Sequence, residues 1–379
     1  MALHQNDTCL DTTEPAVESS LRQYFVSKGV ICLLGVGGNL CSLAVFSRRQ
    51  MAGNSINYLM AALACLDLLY CAIGLVAIAL PGYFLFILWK RVALLCVPWI
   101  LGARTFQRAA QTASLWLFVL ISAERYLAVS RPLLVRVHCT VPKARLLTAV
   151  VVANALLFNV LYVALIFLVQ LLIDMSICAD FASCSLVLSV FAKVNRAANL
   201  LLPLLLLTGL NACTVALVYQ ATRLQEALGV ASSSIGNDRR RRRKKRTAAM
   251  MVVVIFLYGF CFSEALLRLL HWPVLYEGKA PLDVVVFERI RLLLLGDLLF
   301  TVVSAVPCLL YVAFVRAYRR VLLRLLCGRC LNDPATAGYS DVDYYHHYYY
   351  NSAVSVAGHS HHAPLPPQLL LPTEDPFPL

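Results

Sequence analysis

The fold of this chain is decided by the stretch Ala113-Ser-Leu-Trp-Leu-Phe-Val-Leu-Ile-Ser-Ala-Glu124-Arg125-Tyr-Leu-Ala-Val-Ser-Arg-Pro132. The apolar run that leads into it starts near Cys96 and is long enough to cross a bilayer, which takes about 20 helical residues at about 1.5 Å each. The run ends abruptly in an acid and a base, and we expect these two side chains to hold each other's charge. The pattern predicts a membrane-spanning helix with a charged cytoplasmic end.

The composition places the whole chain in the membrane class. Hydrophobic residues make up 60% of its 379 residues and charged residues 14%, with a mean hydropathy of +0.74. Soluble domains average about 45–50% apolar and about 25% charged residues. The net charge of +13 would suit nucleic acid, but a basic cytoplasmic face beside anionic lipid headgroups produces the same balance. We therefore expect membrane lipids as partners and no nucleic acid.

Seven apolar segments have the length that a bilayer requires. They lie at residues 26–47, 57–80, 97–123, 146–169, 188–218, 248–270 and 290–313. Lys and Arg are concentrated after the first, third, fifth and seventh segments, including the unbroken basic run at 239–246. This bias places those loops and the C-terminus in the cytoplasm and the N-terminus outside. We predict an all-α membrane protein with a seven-transmembrane helix bundle at residues 26–313.

Three further segments flank the predicted bundle. Residues 1–25 form a polar extracellular N-terminus with a glycosylation acceptor at Asn6 and without the features of a cleavable signal peptide. Over residues 314–330, apolar residues alternate with arginines at helical spacing, which predicts an amphipathic cytoplasmic helix on the membrane surface. Cys327 and Cys330 at its end are candidate palmitoylation sites. The low complexity of residues 331–379 predicts a disordered cytoplasmic tail.

The end of the third segment resembles the corresponding motif of rhodopsin-like (class A) G-protein-coupled receptors. Glu124-Arg125-Tyr126, followed by Leu-Ala-Val and then Pro132, is similar to the end of that family's third helix. The resemblance extends over about residues 26–327 of the chain. It implies that Glu124, Arg125 and Tyr126 take part in coupling to a heterotrimeric G protein.

Asp67 lies in the middle of the second apolar segment, where a carboxylate is costly and is a functional candidate. Its context, Leu-Ala-Cys-Leu-Asp67, resembles the motif of the family's second helix, and Gly-Asn39 resembles that of the first. The resemblance implies that Asn39, Ser114 and Ser304 accompany Asp67 in a polar core that holds a sodium ion. We expect no other cofactor and no other metal. The alternative is a purely structural polar cluster.

The sixth and seventh segments depart from the family pattern. Residues 256–262, Phe-Leu-Tyr-Gly-Phe-Cys-Phe, contain neither the Trp nor the Pro of the family's CWxP motif, so a kink there would come from Gly259. In the seventh segment, alignment on Tyr311 puts Pro307 at the family's asparagine, so that a proline break falls one residue early. These differences concern the conformational switch more than the fold.

The resemblance also implies an extracellular disulfide. In the family, a cysteine at the start of the third helix, here Cys96, bonds to a cysteine in the second extracellular loop. Cys178 and Cys184 are both available for this bond. An extracellular location permits such a bond, and the sequence does not choose between the two partners.

The outer half of the third segment carries four polar or charged residues on one helical face. They are Arg104, Gln107, Arg108 and Gln111, at positions i, i+3, i+4 and i+7. Two arginines are expensive to bury in lipid, so this face should line a water-accessible cavity or pair with acids, of which Glu264 and Asp297 are available. We treat all six as candidate ligand-binding residues, with mutual neutralisation in a structural network as the alternative.

The type of ligand follows partly from what is missing. Gln107 stands where similar amine receptors carry an aspartate, which argues against a monoamine. The seventh segment contains no lysine, which excludes the retinal Schiff base of an opsin. What remains looks most like a divergent member of the invertebrate neuropeptide receptors, including the FMRFamide type, or a receptor for a small anion.

The function implied by the resemblance is a plasma-membrane receptor that transmits the binding of an extracellular ligand, a peptide, to heterotrimeric G proteins. One alternative is a seven-helix scaffold or decoy receptor that does not signal, which the altered sixth and seventh segments would suit. A membrane transporter is less favoured, because the two halves of the chain show no internal repeat. The sequence has no hydrolase, kinase or metal-site motif, so we expect no enzymatic activity.

Overall fold

The computed structural model describes residues 7–48, 51, 53–83, 93–174, 190–191, 193–195, 197–227 and 282–326. Every regular element in these ranges is a helix. The predicted sixth segment (248–270), the basic run at 239–246 and the predicted disordered tail (331–379) lie outside the described residues.

Most of the described helices are long, and a few are short. The helices are α1 (Asp7–Phe46), α2 (Ser55–Ile73), α3 (Ala93–Ser130), α4 (Pro132–His138), α5 (Val141–Asp174), α6 (Leu202–Ala227), α7 (Leu282–Ala305), α8 (Pro307–Phe314) and α9 (Arg316–Leu326). A π-helical turn, Gly74–Ala79, extends α2, and another, Ala197–Leu201, precedes α6. Pro81 and Pro203 follow these turns closely. Proline cannot donate a backbone hydrogen bond to the preceding turn, and a wider turn accommodates that loss.

Six helical stretches in the described ranges are long and apolar enough to cross a membrane. They are Ser19–Phe46, Ser55–Tyr83, Gly102–Ser130, Val141–Val169, Lys193–Ala221 and Leu294–Phe314. These stretches correspond to the first five and the seventh of the predicted segments. Many of their large apolar side chains are exposed, as lipid-facing side chains are. The chain is therefore a multi-pass membrane protein whose described elements are all helical, and the span at residues 248–270 stays a prediction.

The long helix α3 lies at the centre of the described bundle. It packs against α2, α5 and α6, while α1 packs against both α2 and α7. Arg104 and Arg125 lie about six helical turns apart on α3, which is about 30 Å, close to the thickness of a bilayer core. We call the two ends of the bundle the Arg104 end and the Arg125 end.

The last predicted span is interrupted at Val306, as its proline suggested. α7 ends at Ala305 and α8 begins at Pro307, because proline fits the first turn of a helix, where no backbone N–H is needed. The backbone N–H of Leu309 donates to the carbonyl of Val306 at 2.9 Å, which continues the chain direction into α8. The expected proline break is present.

Helix α9 covers the first part of the segment predicted to be amphipathic. Tyr318 and Val321 are buried, whereas Arg320 and Arg324 are exposed. One side of the helix therefore packs on the bundle and the other carries charge. Its location on a membrane surface stays a prediction, and the candidate palmitoylation sites Cys327 and Cys330 lie outside the described residues.

Gly35 allows α1 to approach α2 and α7 closely, and this yields a test of the packing. A Cβ atom added at Gly35 would lie 2.5 Å from Cys71 Sγ and 3.2 Å from Ala305 Cβ. We expect Gly35→Ala to lower the free energy of unfolding by about 1–3 kcal/mol, the usual cost of overpacking a core. The measurement is the thermal unfolding midpoint of the purified protein in detergent.

Gly37→Ala is the matched control for that substitution. No atom of the described residues lies within 4 Å of a Cβ added at Gly37, so this variant should unfold at the wild-type temperature or slightly above. Equal midpoints for the Gly35 and Gly37 variants would contradict the close helix contact.

Candidate functional site

At the Arg104 end, side chains from α1 and α3 converge on Asp297 of α7. Tyr24 of α1 donates its hydroxyl to Asp297 Oδ2 at 2.6 Å, and Lys28, one turn further along α1, donates to the same oxygen. Arg104 of α3 lies 3.6 Å from Asp297 Oδ1 and also donates to the Tyr24 hydroxyl at 3.2 Å. We call these four residues the charge cluster.

The members of the charge cluster differ in their access to solvent. The Lys28 side chain has no exposed area, whereas the side chains of Arg104 and Asp297 are 30% and 22% exposed. A buried ammonium is strongly destabilising unless it is paired, so Lys28 depends on Asp297. The two cations and the one carboxylate leave the cluster with a net charge of one positive unit.

The candidate ligand-binding residues do not all meet in this cluster. Arg104 is partly exposed, Gln107 is buried, Arg108 is exposed and Gln111 is partly buried. Gln107 and Arg108, at positions i+3 and i+4, point about 100° apart around the helix axis. The four predicted side chains therefore cannot all face α1 and α7. Of the six candidates, the structure brings together Arg104 and Asp297. Glu264 lies outside the described residues. The role of all six in ligand binding stays a prediction.

Hydrogen bonds lead from the charge cluster into the bundle. Gln107 Nε2 of α3 donates to the Tyr70 carbonyl of α2 at 3.3 Å. The Thr301 hydroxyl of α7 donates to the Asp297 carbonyl at 2.7 Å, and it lies 3.3 Å from the Tyr70 hydroxyl. Since the Thr301 proton is directed to Asp297, Tyr70 is the donor in the second contact. The network ties α2, α3 and α7 together beneath the cluster.

The four residues predicted to form a polar core lie together in the middle of the bundle. Asp67, 1% exposed, accepts a hydrogen bond from Ser114 Oγ at 2.9 Å and also interacts with the side chain of Ser304. Asn39 Nδ2 donates to the Ser304 carbonyl at 3.0 Å. Asp67 Oδ2 and Asn39 Oδ1 are buried and have no hydrogen-bond partner in the described part of the chain. Two such oxygens suit a small cation.

At the Arg125 end, Glu124 and Arg125 attract each other electrostatically, as expected. Glu124 also accepts a hydrogen bond from Ser55 Oγ, at the first residue of α2. Adjacent residues of a helix do not face each other, and this geometry turns Glu124 towards α2. Arg125 and Tyr126 are partly buried near the end of α3. Their role in coupling stays a prediction.

Sequence reasoning missed several members of these sites. Lys28 was the detectable one, because a charged residue within the predicted span 26–47 is a functional candidate. It was overlooked because it lies near the end of the span, where a lysine can reach the interface. Tyr24, Tyr70 and Thr301 gave no local signal, and Ser55 resembled an ordinary serine at a helix start.

The residues of two other predicted sites lie outside the described part of the chain. They are Asn6, Cys178, Cys184 and the side chain of Cys96. The glycosylation site and the extracellular disulfide stay predictions.

Residues 38–285 match the family model described as 7 transmembrane receptor (rhodopsin family), which is more than half of the chain. An FMRFamide peptide receptor of Caenorhabditis elegans is 35% identical over 133 residues, covering 34% of this chain and 30% of that receptor. An FMRFamide receptor of Drosophila melanogaster is 29% identical over 165 residues, covering 40% of this chain and 28% of that receptor.

A muscarinic acetylcholine receptor M3 of Bos taurus is 29% identical over 117 residues, covering 31% of this chain and 19% of that receptor. The chain spans less than a third of the length of each of these three relatives.

Proposed function

The chain belongs to the rhodopsin family of seven-transmembrane receptors, and from this we propose that it transmits the binding of an extracellular neuropeptide to heterotrimeric G proteins. Two relatives are named as FMRFamide receptors, which supports a peptide of that class as the ligand. The plasma membrane is the location where such a ligand and a G protein can be reached from opposite sides.

The observation that carries this proposal is the position of α3. One end of this helix contributes Arg104 to the charge cluster, its middle contributes Ser114 to the polar core, and its other end carries Arg125. A ligand that binds one arrangement of the cluster more tightly shifts the population of the bundle towards that arrangement. The shared helix couples this shift to the surface at the Arg125 end.

The proposed orientation places the Arg104 end outside the cell. Arg131, Lys143 and Arg145 follow the Arg125 end of α3 in the sequence, and α9 carries further arginines. Basic residues are retained on the cytoplasmic side. The N-terminus then lies outside, and residues 314–330 lie along the inner leaflet.

The test is a G-protein activation assay in cells that express the full chain, with Phe-Met-Arg-Phe-amide as the probe. We expect peptide-dependent activation that Arg125→Ala abolishes while peptide binding is retained. Arg320→Ala, which removes an equal charge from the exposed side of α9, is the matched control and should signal normally.

Three other results of the G-protein activation assay would change the proposal. Peptide binding without activation of any G protein would favour a scaffold or decoy receptor over a signalling one. Equal responses from the wild type and the Arg125→Ala variant would contradict the coupling role of this arginine. No binding of the peptide at all would remove the FMRFamide class from the proposal.

We also propose that the polar core holds a sodium ion, with Asp67, Asn39, Ser114 and Ser304 as the residues around it. Two oxygens that lack a hydrogen-bond partner among the described residues, Asp67 Oδ2 and Asn39 Oδ1, support this, because hard cations prefer oxygen ligands. Bound there, the ion would compensate the buried carboxylate charge of Asp67.

Sodium should therefore stabilise the wild-type protein more than an Asp67→Asn variant. At a concentration about 100 times the dissociation constant, a ligand of the folded state adds about 2.7 kcal/mol. The measurement is the thermal unfolding midpoint in NaCl against choline chloride at equal ionic strength. A sodium effect of the same size in both proteins would locate the ion elsewhere.

A further inference from the structure

We propose that Lys28 determines which charge the ligand site prefers. By holding Asp297, Lys28 leaves Arg104 as the ionic group of the charge cluster that is available to a ligand, so that the cluster receives an anionic or hydrogen-bond-accepting group rather than a cationic one. This inference rests on the proposed receptor function, because it concerns the ligand of the same site.

Asp297 is already occupied by donors from α1. Its Oδ2 atom accepts from both the Tyr24 hydroxyl and the Lys28 ammonium. Its Oδ1 atom faces Arg104 at 3.6 Å. A ligand cation approaching this carboxylate would therefore meet two fixed positive charges.

Lys28 cannot easily leave Asp297. It has no exposed area, and a Cβ added at Gly74 of the π-helical turn would lie 3.4 Å from Lys28 Cε, so α2 packs closely against the lysine stem. Its ammonium also donates to the Tyr24 hydroxyl at 3.4 Å. Displacing this ammonium would leave a buried charge without compensation, which is strongly unfavourable.

Arg104 is in the opposite situation. Its side chain is 30% exposed, and its 3.6 Å separation from Asp297 Oδ1 exceeds hydrogen-bond distance. A guanidinium has five N–H donors, and the contact to Tyr24 takes up one nitrogen. Arg104 can therefore donate to a ligand oxygen without giving up its position beside Asp297.

The consequence for a peptide of the FMRFamide class concerns its two ends. Its arginine would have to bind an acid outside the charge cluster, while the carbonyl oxygen of its C-terminal amide suits Arg104. The same peptide with a free C-terminal carboxylate should bind at least as well, because a carboxylate accepts stronger hydrogen bonds from a guanidinium than a neutral carbonyl does.

The test compares two probes of similar size and opposite charge, phenylpropionate and phenylpropylammonium, by thermal unfolding of the purified full-length protein at constant ionic strength. We expect phenylpropionate to be preferred by the wild type. Lys28→Met brings the net charge of the cluster to zero, and it should shift the ratio of the two dissociation constants by about tenfold towards the cation. Lys28→Gln is a second variant that removes the charge and keeps hydrogen-bonding capacity.

The double variant Lys28→Met/Asp297→Asn is the decisive control. It restores one net positive charge through Arg104, so its probe preference should return to that of the wild type. An unchanged ratio in both Lys28→Met and Lys28→Gln would show that the lysine is structural only. Failure of the wild type to bind either probe, or a preference for the cation, would also overturn the inference.

The peptide arm separates this inference from the proposed function. The amidated and free-acid forms of Phe-Met-Arg-Phe are compared in the G-protein assay on the same variants. A charge preference that follows the cluster in the probe assay, combined with no response to either peptide, would leave the inference standing and remove the peptide proposal.

Discussion

Replacing Tyr318 by alanine is expected to lower the free energy of unfolding by about 3–5 kcal/mol, as truncation of a buried aromatic side chain does. Tyr318 packs α9 against the bundle, and it has no exposed area. Its ring centroid lies 5.5 Å from those of Phe46 of α1 and Tyr311 of α8. Its hydroxyl lies 3.0 Å from Ser42 Oγ and 3.4 Å from Cys308 Sγ.

The effect should appear in two measurements. The thermal unfolding midpoint in detergent should fall by several degrees, and amide hydrogen exchange in α9 should rise, since Tyr318 and Val321 are its buried residues. Burial raises the pKa of the Tyr318 hydroxyl, so the group stays protonated and the effect should not depend on pH between neutral and mildly alkaline conditions.

Tyr318→Phe is the control, because it keeps the ring and removes only the hydroxyl. Ser42 retains its hydrogen bond to the Gly38 carbonyl at 3.0 Å, so its hydroxyl is not left unpaired. The expected loss is about 0.5–1.5 kcal/mol, the net contribution of one hydrogen bond. A loss in the phenylalanine variant as large as that in the alanine variant would show that the hydroxyl contacts, and not the aromatic packing, hold α9 in place.

Asp297→Asn is expected to destabilise the protein by about 3–5 kcal/mol, because removal of one partner leaves the other charge buried and unpaired. Lys28 is the stranded group, since its side chain is completely buried and Asp297 is its ion-pair partner among the described residues. Asparagine has nearly the same shape as aspartate, so the loss reports charge and not packing. The unfolding midpoint is again the measurement.

The double variant Lys28→Met/Asp297→Asn distinguishes the ion pair from other effects of the substitution. Methionine fills a similar volume without a charge, and replacing a buried pair by uncharged residues is often neutral or stabilising. We expect the double variant to unfold near the wild-type temperature, which gives a large coupling energy in the double-mutant cycle. Additive losses from the two single substitutions would mean that Lys28 and Asp297 do not stabilise one another.

The membrane class and most of the spans could be predicted because lipid imposes a local rule. A backbone in hydrocarbon must satisfy its own hydrogen bonds, so a spanning helix appears in the sequence as one continuous apolar run. The break in the last predicted span was located by Pro307 itself, because proline interrupts a helix. The rule for lipid does not define where a helix ends outside the lipid, and α1 begins at Asp7, well before the predicted start of the first span.

The polar core was anticipated from motifs, whereas the charge cluster was anticipated only in part. Arg104 and Asp297 stood out because a charge in an apolar segment is conspicuous. The ion pair between Lys28 and Asp297 was not predicted, since nothing in the sequence around residue 28 indicates which helix the lysine side chain faces. The hydrogen bond from Ser55 to Glu124 was not predicted for a related reason, because the two residues are far apart in the sequence.

By itself, the amino-acid sequence determined that this is a helical membrane protein, where most of its spans lie and which of its apolar segments carry charge, because each of these depends on the solvation of a single segment. Only the tertiary structure decided that Lys28 meets Asp297, 269 residues further along the chain, and that Ser55 meets Glu124 across 69 residues. Such contacts depend on how each helix is rotated and packed against its neighbours. That rotation is set by the close fit of many small contacts, such as those at Gly35, and not by any local pattern.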